Sequence, residues 1–99
     1  MVVGRDLDLH TFRPRDLPDL LPEWFLECRR LGIPVVRVIH GKGTGALRSG
    51  VHALLPRLGE WVCGWQYPAP DAEGGWGATM VGIRPMVGTG PPGGNVIPG

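Results

Sequence analysis

The sequence predicts a two-layer α/β sandwich. A four-stranded mixed sheet, in the element order β-α-β-α-β-β, carries both helices on one face. Three observations point to it. Short alternating or β-branched runs at 2–10, 34–40, 61–67 and 77–84 read as strands. Two of the stretches between them repeat apolar residues at helical spacing. The chain has 99 residues, 42% hydrophobic and 19% charged, enough for one modest core and too few for a multidomain assembly.

Each element has its own local signature. After Gly4, Leu7 and Leu9 point one way and Asp6, Asp8 and His10 the other, as on a strand with one face in a core. Residues 14–31 form the first helix. Leu17, Leu21, Trp24, Cys28 and Leu31 make its stripe, and Gly32 after Arg29 and Arg30 stops it. Pro14 suits a first turn; Pro18 and Pro22 require a kink or a late start. Pro34 to His40, PVVRVIH, has the composition of a buried parallel strand. In the second helix Leu47, Val51, Leu54 and Leu58 line up, with Thr44 expected as N-cap. Gly50 and Pro56 weaken it. The strands at 61–67 and 77–84 flank the short loop 68–75 and should be antiparallel to each other. Right-handed crossovers then place both helices on one face. The expected core holds Leu7, Leu9, Val36, Val38, Leu47, Val51 and Leu54, with Cys28 and Cys63 reduced and buried in it.

The domain is expected to occupy residues 1–84. From Pro85 to Gly99, nine of 15 residues are Gly or Pro and none is charged, so 85–99 reads as a flexible tail. Formal charge is +1, from 10 Lys+Arg against 9 Asp+Glu. A nucleic-acid partner would have to be held by a local patch. No apolar run is long enough to span a membrane, and no basic-then-apolar signal pattern follows Met1. With two cysteines outside any metal-finger spacing, a reduced, cytoplasmic protein is expected.

Three segments can carry chemistry. His40-Gly41-Lys42-Gly43-Thr44-Gly45 lies between a strand and a helix. Its glycines allow close backbone approach, and the helix behind it offers a positive dipole end. Lys42 adds a cation and Thr44 a hydroxyl, making a phosphate-sized anion site; the same pattern also serves a plain strand-to-helix turn. It lacks the spacing of a Walker loop. Asp8 and His10 share one face at the end of the first strand, near the rim where ligands gather in parallel α/β sheets. His40 ends the second strand at the same rim. His10, His40 and Lys42 are expected to converge on one anion-binding pocket there, although alternation sets His40 opposite Arg37 and the strand end must twist for the two imidazoles to meet. The third segment is Gly74-Gly75-Trp76-Gly77-Ala78-Thr79, which opens the last strand. Trp76 either packs in the loop or stands exposed for stacking.

These three segments, in this order, resemble the small MutS-related (Smr) domain family. That family shows LDLHG, then HGKG or HGRG followed by TG, then GG-x-GAT. Here they read Leu7-Asp8-Leu9-His10, His40 to Gly45, and Gly74 to Thr79, within residues 6–84. Thr11 departs from the pattern, standing where the family has glycine. The resemblance implies a nucleic-acid-binding α/β domain, in several members an endonuclease that nicks DNA or cleaves RNA. With no MutS ATPase in the sequence, a free-standing member is expected.

Two functions follow. As a nuclease, Asp8, His10 and His40 would carry the catalysis. Gly41, Lys42, Gly43, Thr44, Gly45, Arg48, Gly75 and Gly77 would hold the phosphate. A divalent cation, Mg or Mn, has Asp8 and His10 as its candidate ligands, though two-metal chemistry needs more bridging acid than Asp6, Asp8 and Glu73 offer. As a non-catalytic module, the domain would hold branched or single-stranded DNA or RNA through the same loop, with Arg48 and His52 on the outer helix face and an exposed Trp76. A protein-interaction domain using the Trp-rich last strands is a third reading.

Overall fold

The computed structural model describes residues 5–43 and 45–85. The predicted tail beyond Pro85, the first residues of the predicted first strand, and Thr44 lie outside the described residues.

The sheet has four strands: β1 (Asp6–Asp8), β2 (Val35–Ile39), β3 (Val62–Gln66) and β4 (Ala78–Ile83). Their spatial order is β1-β2-β4-β3. β1 and β2 are parallel, with Asp8 opposite Ile39. β4 runs antiparallel to both its neighbours. The third and fourth strands are antiparallel as expected, and the returning strand takes the inner position. β3 is therefore an edge. It carries a register irregularity between Val62 and Gly64, a device that discourages further strand pairing.

The first helix begins late. Pro14–Asp16 form a 3-10 turn, and α1 runs Leu17–Arg30. The Arg13 amide donates to Asp16 Oδ2 (2.9 Å), closing the turn before α1. Pro18 sits in the first helical turn, where no amide is needed; Pro22 remains inside the helix. At the other end Gly32 takes φ +73°. Its amide donates to Arg29 O (3.2 Å) and the Ile33 amide to Cys28 O (3.0 Å), the Schellman pattern that glycine makes accessible.

The second helix, α2, spans Ala46–Leu54 and gives way to a 3-10 turn over Leu55–Leu58. Pro56 explains the change, since it cannot continue the α-helical ladder. Its N-cap is Gly45 at φ +85°, not Thr44 as predicted: a left-handed residue is needed at the corner and only glycine adopts it freely. Gly50 has a packing reason. A Cβ there would lie 2.8 Å from Leu17 Cδ1, so the glycine lets α2 approach the start of α1.

Both helices pack into one core with the same sheet face. Leu7, Leu9, Val36, Val38 and Val51 are buried in it as expected, together with Leu17, Phe25, Leu55 and Val81. Leu47 and Leu54 are partly buried against it. Two expectations need correction. β2 is not buried on both sides: Val36 and Val38 are fully covered while Val35 is exposed and Arg37 and Ile39 half-buried, because helices cover only one sheet face. Cys63 is exposed, whereas Cys28 is buried. Cys63 sits on the edge strand, its Sγ close to Gly82.

Candidate functional site

The glycine loop leaves β2 and is pinned to the start of β4. The His40 and Gly41 amides both donate to Gly77 O, at 3.0 and 2.9 Å. Gly41 takes φ +78°, a corner that a side chain would strain. At Gly77 a Cβ would sit 3.5 Å from Lys42 Cγ and 3.7 Å from Gly41 Cα, so the two backbones run in close contact. Gly41, Lys42 and Gly43 are exposed. Arg48, one turn into α2, reaches back over the loop: a Cβ on Gly45 would lie 2.8 Å from its Nη2. The guanidinium also stands 5.9 Å from the Tyr67 ring centre. Two cations, Lys42 and Arg48, thus flank exposed loop backbone at the positive end of α2.

Behind the loop lies a buried polar knot. His40 is 7% exposed and Thr79 fully buried. His40 Nδ1 faces Gly41 O (3.1 Å), and its Nε2 faces Thr79 Oγ1 (2.9 Å). His52 Nε2 meets the same hydroxyl at 2.9 Å. A carbonyl only accepts, so Nδ1 of His40 carries the proton and its Nε2 accepts from the Thr79 hydroxyl. That hydroxyl has one proton, so the His52 Nε2–H must donate to it. This assignment holds for neutral rings, which burial favours, and gives the two imidazoles opposite tautomers. Their basicity agrees: burial pushes both pKa values below the usual histidine range, and Arg48 adds repulsion at each. Tyr67 closes the knot, its ring 4.7 Å from His52 and 5.6 Å from His40. Trp76 packs edge-on against Tyr67 at 5.6 Å, its carbonyl accepts the Tyr67 hydroxyl, and it is 61% exposed.

The third part stands on the other side of the sheet. His10 Nδ1 faces Asp8 Oδ1 at 2.8 Å, and the His10 amide donates to the same oxygen at 3.0 Å. The amide and ring of His10 together hold the Asp8 carboxyl below its usual range. Accepting from Nδ1–H leaves His10 Nε2 as the basic nitrogen. The imidazole is 76% exposed. Leu9 N–H donates to Ile39 O (2.9 Å), which puts the backbone of His10 beside the start of the glycine loop.

The structure therefore brings His40 together with Gly41, Gly77 and Thr79, Lys42 with Gly41 and Gly77, Arg48 with Gly45, and Asp8 with His10. It does not pair His10 with His40: no hydrogen bond, ion pair or ring contact joins them among the described residues. Strand alternation is the reason. His40 follows Val36 and Val38 onto the helix-covered side, while His10 stays with Asp8 on the open side, where Asp6 pairs with Arg37. Gly75 takes φ +54° in the turn before β4, and its carbonyl accepts from Ala69 N–H (3.0 Å). His52 does not point outward as expected but turns to the sheet and Thr79. Thr79 closes the third of the segments singled out in the sequence but has no role assigned to it there, and Tyr67 lies outside all three. Thr79 could have been suspected, since it alternates with Val81 and Ile83 toward the core and a buried hydroxyl needs partners. Tyr67 carries no such signal.

For a divalent cation the donors are few. Asp8 Oδ1 is taken by His10, leaving Oδ2, and no group of three or more His, Cys, Asp or Glu gathers among the described residues. Such a set fits an ion shared with substrate phosphates, not an all-protein cage. No helix among the described residues is long and apolar enough to cross a membrane.

Residues 7–84 match the family model of the Smr domain. The chain belongs to the Smr domain family. Among curated relatives, the endonuclease MutS2 of Thermomicrobium roseum is 40% identical over 79 residues, which are 80% of this chain and 10% of that protein. The endonuclease MutS2 of Thermus thermophilus is 46% identical over 59 residues, 60% of this chain and 8% of that one. This Smr domain thus spans about a tenth of the curated relatives it matches. Among solved structures, the Smr domain of Thermus thermophilus MutS2 superposes with a TM-score of 0.74 at 35% identity, covering 83% of this chain and 100% of that one. YdaL, a stand-alone small MutS-related protein from Escherichia coli, shares the fold with a TM-score of 0.71 at 24% identity, covering 81% and 64%.

Proposed function

We propose that this Smr domain is a nucleic-acid endonuclease. It binds the phosphate backbone at the glycine loop and cleaves a phosphodiester bond with the Asp8–His10 pair as its proton-transfer group. One observation carries the reading: an exposed imidazole, oriented by a carboxylate at 2.8 Å, ends the strand paired with β2, and β2 itself runs into the glycine loop flanked by Lys42 and Arg48. The kinship to MutS2 endonucleases supports it.

Lys42, Arg48 and the α2 terminus attract the phosphate and stabilise the charge that grows on it during displacement. Gly41 and Gly43 let the backbone come close. On RNA, His10 Nε2 takes the proton of the 2′-hydroxyl while that oxygen attacks phosphorus. The bond to the 5′-oxygen breaks, and the 5′-oxygen leaves with a proton from solvent, giving a cyclic phosphate and a 5′-hydroxyl. On DNA, His10 takes the proton of a water that attacks phosphorus instead; the bond from phosphorus to one ester oxygen breaks, and that oxygen leaves with a proton from solvent, giving a phosphate end and a hydroxyl end. Mg or Mn, held by Asp8 and the substrate, would supply further charge stabilisation there. With both its ring nitrogens engaged, His40 acts as a positioning residue for the loop and not as a second proton donor.

The test is cleavage of labelled single-stranded, duplex and branched DNA and RNA, with and without chelator. Discrete ends are expected, reduced roughly a hundredfold or more in His10→Ala with affinity nearly intact. Lys42→Ala should weaken binding and lower its salt slope by about one, for one phosphate contact. Unchanged binding in Lys42→Ala removes the phosphate site. Binding with no cleavage in the parent protein favours a second reading, a non-catalytic module for unpaired or branched strands. The exposure of Trp76 beside Tyr67 favours that reading, since bases stack on such rings.

A further inference from the structure

A second site lies at the opposite end of the sheet. The turn after α1, the start of β2 and the end of β4 enclose a cleft of about 550 Å3. That is within the usual range for small-molecule sites. Arg29, Arg30 and Arg84 line it, with Ile33, Pro34 and Ile83 supplying apolar wall. Nothing in the phosphodiester chemistry above uses these residues.

The charge there is not internally cancelled. Arg30 pairs with Glu27. Arg84 gives its Nε–H to Gly59 O (2.9 Å) and an Nη2–H to Val62 O (3.4 Å). Arg29 gives one proton to Glu60 O (3.3 Å), and its Nε is buried with no acceptor. Carbonyl oxygens satisfy hydrogen bonds without neutralising charge. Neither Arg29 nor Arg84 forms an ion pair among the described residues. The C-terminal dipole of α1 offsets only about half a unit charge. Its last carbonyls are already occupied by the Gly32 and Ile33 amides. Two guanidiniums beside an apolar wall call for a ligand with an anionic end and a flat or aliphatic body.

We propose that this cleft is a binding site for a nucleoside monophosphate, its phosphate on Arg29 and Arg84 and its base against Ile33 and Pro34. The choice of a nucleoside as the body rests on the nucleic-acid reading above; the anion and the apolar wall do not. Two sources share this chemistry: a free mononucleotide, or one unit of a bound strand. From Pro34 to His40 is about 20 Å along β2, so a strand filling both sites would have to run the length of the sheet.

The experiment titrates the full chain, labelled with 15N, with adenosine monophosphate and in parallel with inorganic phosphate. Saturable shifts are expected at the amides of Gly32, Ile33, Ile83 and Arg84 with the nucleotide, and weaker ones with phosphate alone. Arg84→Ala should lower nucleotide affinity tenfold or more. Because Arg84 also holds the 59–62 backbone, Pro34→Asp is the second variant. Pro34 is exposed, and an aspartate there repels the phosphate without removing a contact of the core. Lys42→Ala and His10→Ala should leave the nucleotide shifts in place. If Pro34→Asp also weakens binding of a labelled single strand, the source is a strand unit; if it weakens the mononucleotide alone, the source is free nucleotide. Shifts absent from this cleft, or confined to Gly41–Gly43, overturn the proposal. Cleft shifts in a protein that neither binds nor cuts strands would refute the endonuclease reading and leave this site standing.

Discussion

Replacing Thr79 by valine is the most informative perturbation of the knot behind the loop. The substitution keeps the shape and removes one hydroxyl that serves two imidazoles at 2.9 Å each. His40 would lose the donor to its Nε2 in a place only 7% exposed. An unmet buried acceptor costs about 1–3 kcal/mol. His52 would lose its acceptor too, but it is half-buried and water can replace part of the bond, for about 0.5–1 kcal/mol. The added methyl returns up to about 0.8 kcal/mol. The net loss is about 2 kcal/mol. For a domain of this size that lowers Tm by about 8–16 °C. Urea unfolding of Thr79→Val beside Thr79→Ser measures it. The serine keeps the hydroxyl and should lose about 1 kcal/mol, from the missing methyl and its small void. A valine variant within about 0.5 kcal/mol of the parent, or a serine variant falling as far as the valine, would refute the shared-hydroxyl account.

Burial holds the His40 and His52 pKa values below 6.5. Below that pH the unfolded chain takes up protons that the folded one resists. The urea midpoint should therefore be level above pH 6.5 and fall as pH drops from 6.5 toward the lowered folded values; a midpoint that rises on acidification contradicts neutral imidazoles. Of the two thiols, Cys63 should react promptly with a disulfide reagent. Cys28, fully buried and with its pKa pushed up to about 11, should react only on unfolding, so equal native rates would contradict the packing. Gly45→Ala places a Cβ at φ +85° and 2.8 Å from Arg48 Nη2. It should cost about 1–2 kcal/mol and displace the arginine, read as a lower Tm and weaker oligonucleotide binding; an unchanged Tm would show that the loop corner relaxes freely.

Much of this architecture was legible in local pattern. Leu7 and Leu9 alternate with Asp8 and His10, and the stripes from Leu17 to Cys28 and from Leu47 to Leu54 fall at helical spacing. The stop at Gly32 is a matter of backbone geometry that only glycine adopts freely. Each is set by neighbours within a few residues, so the sequence by itself determined the elements, their order, the single covered face and the glycine loop. The expectation that a twist at the end of β2 would bring His40 to His10 at one rim failed, because His40 keeps the side that alternation gives it and bonds Thr79. Pairing across the chain was another matter. That β4 slides between β2 and β3, that Cys63 lies exposed on an edge, and that His52 turns inward to Thr79 depend on residues 14 to 47 positions apart. Those contacts follow from which surfaces are buried together, and the tertiary structure decided them, because hydrophobic burial is non-directional and does not specify from the sequence alone which strand a returning chain will pair with.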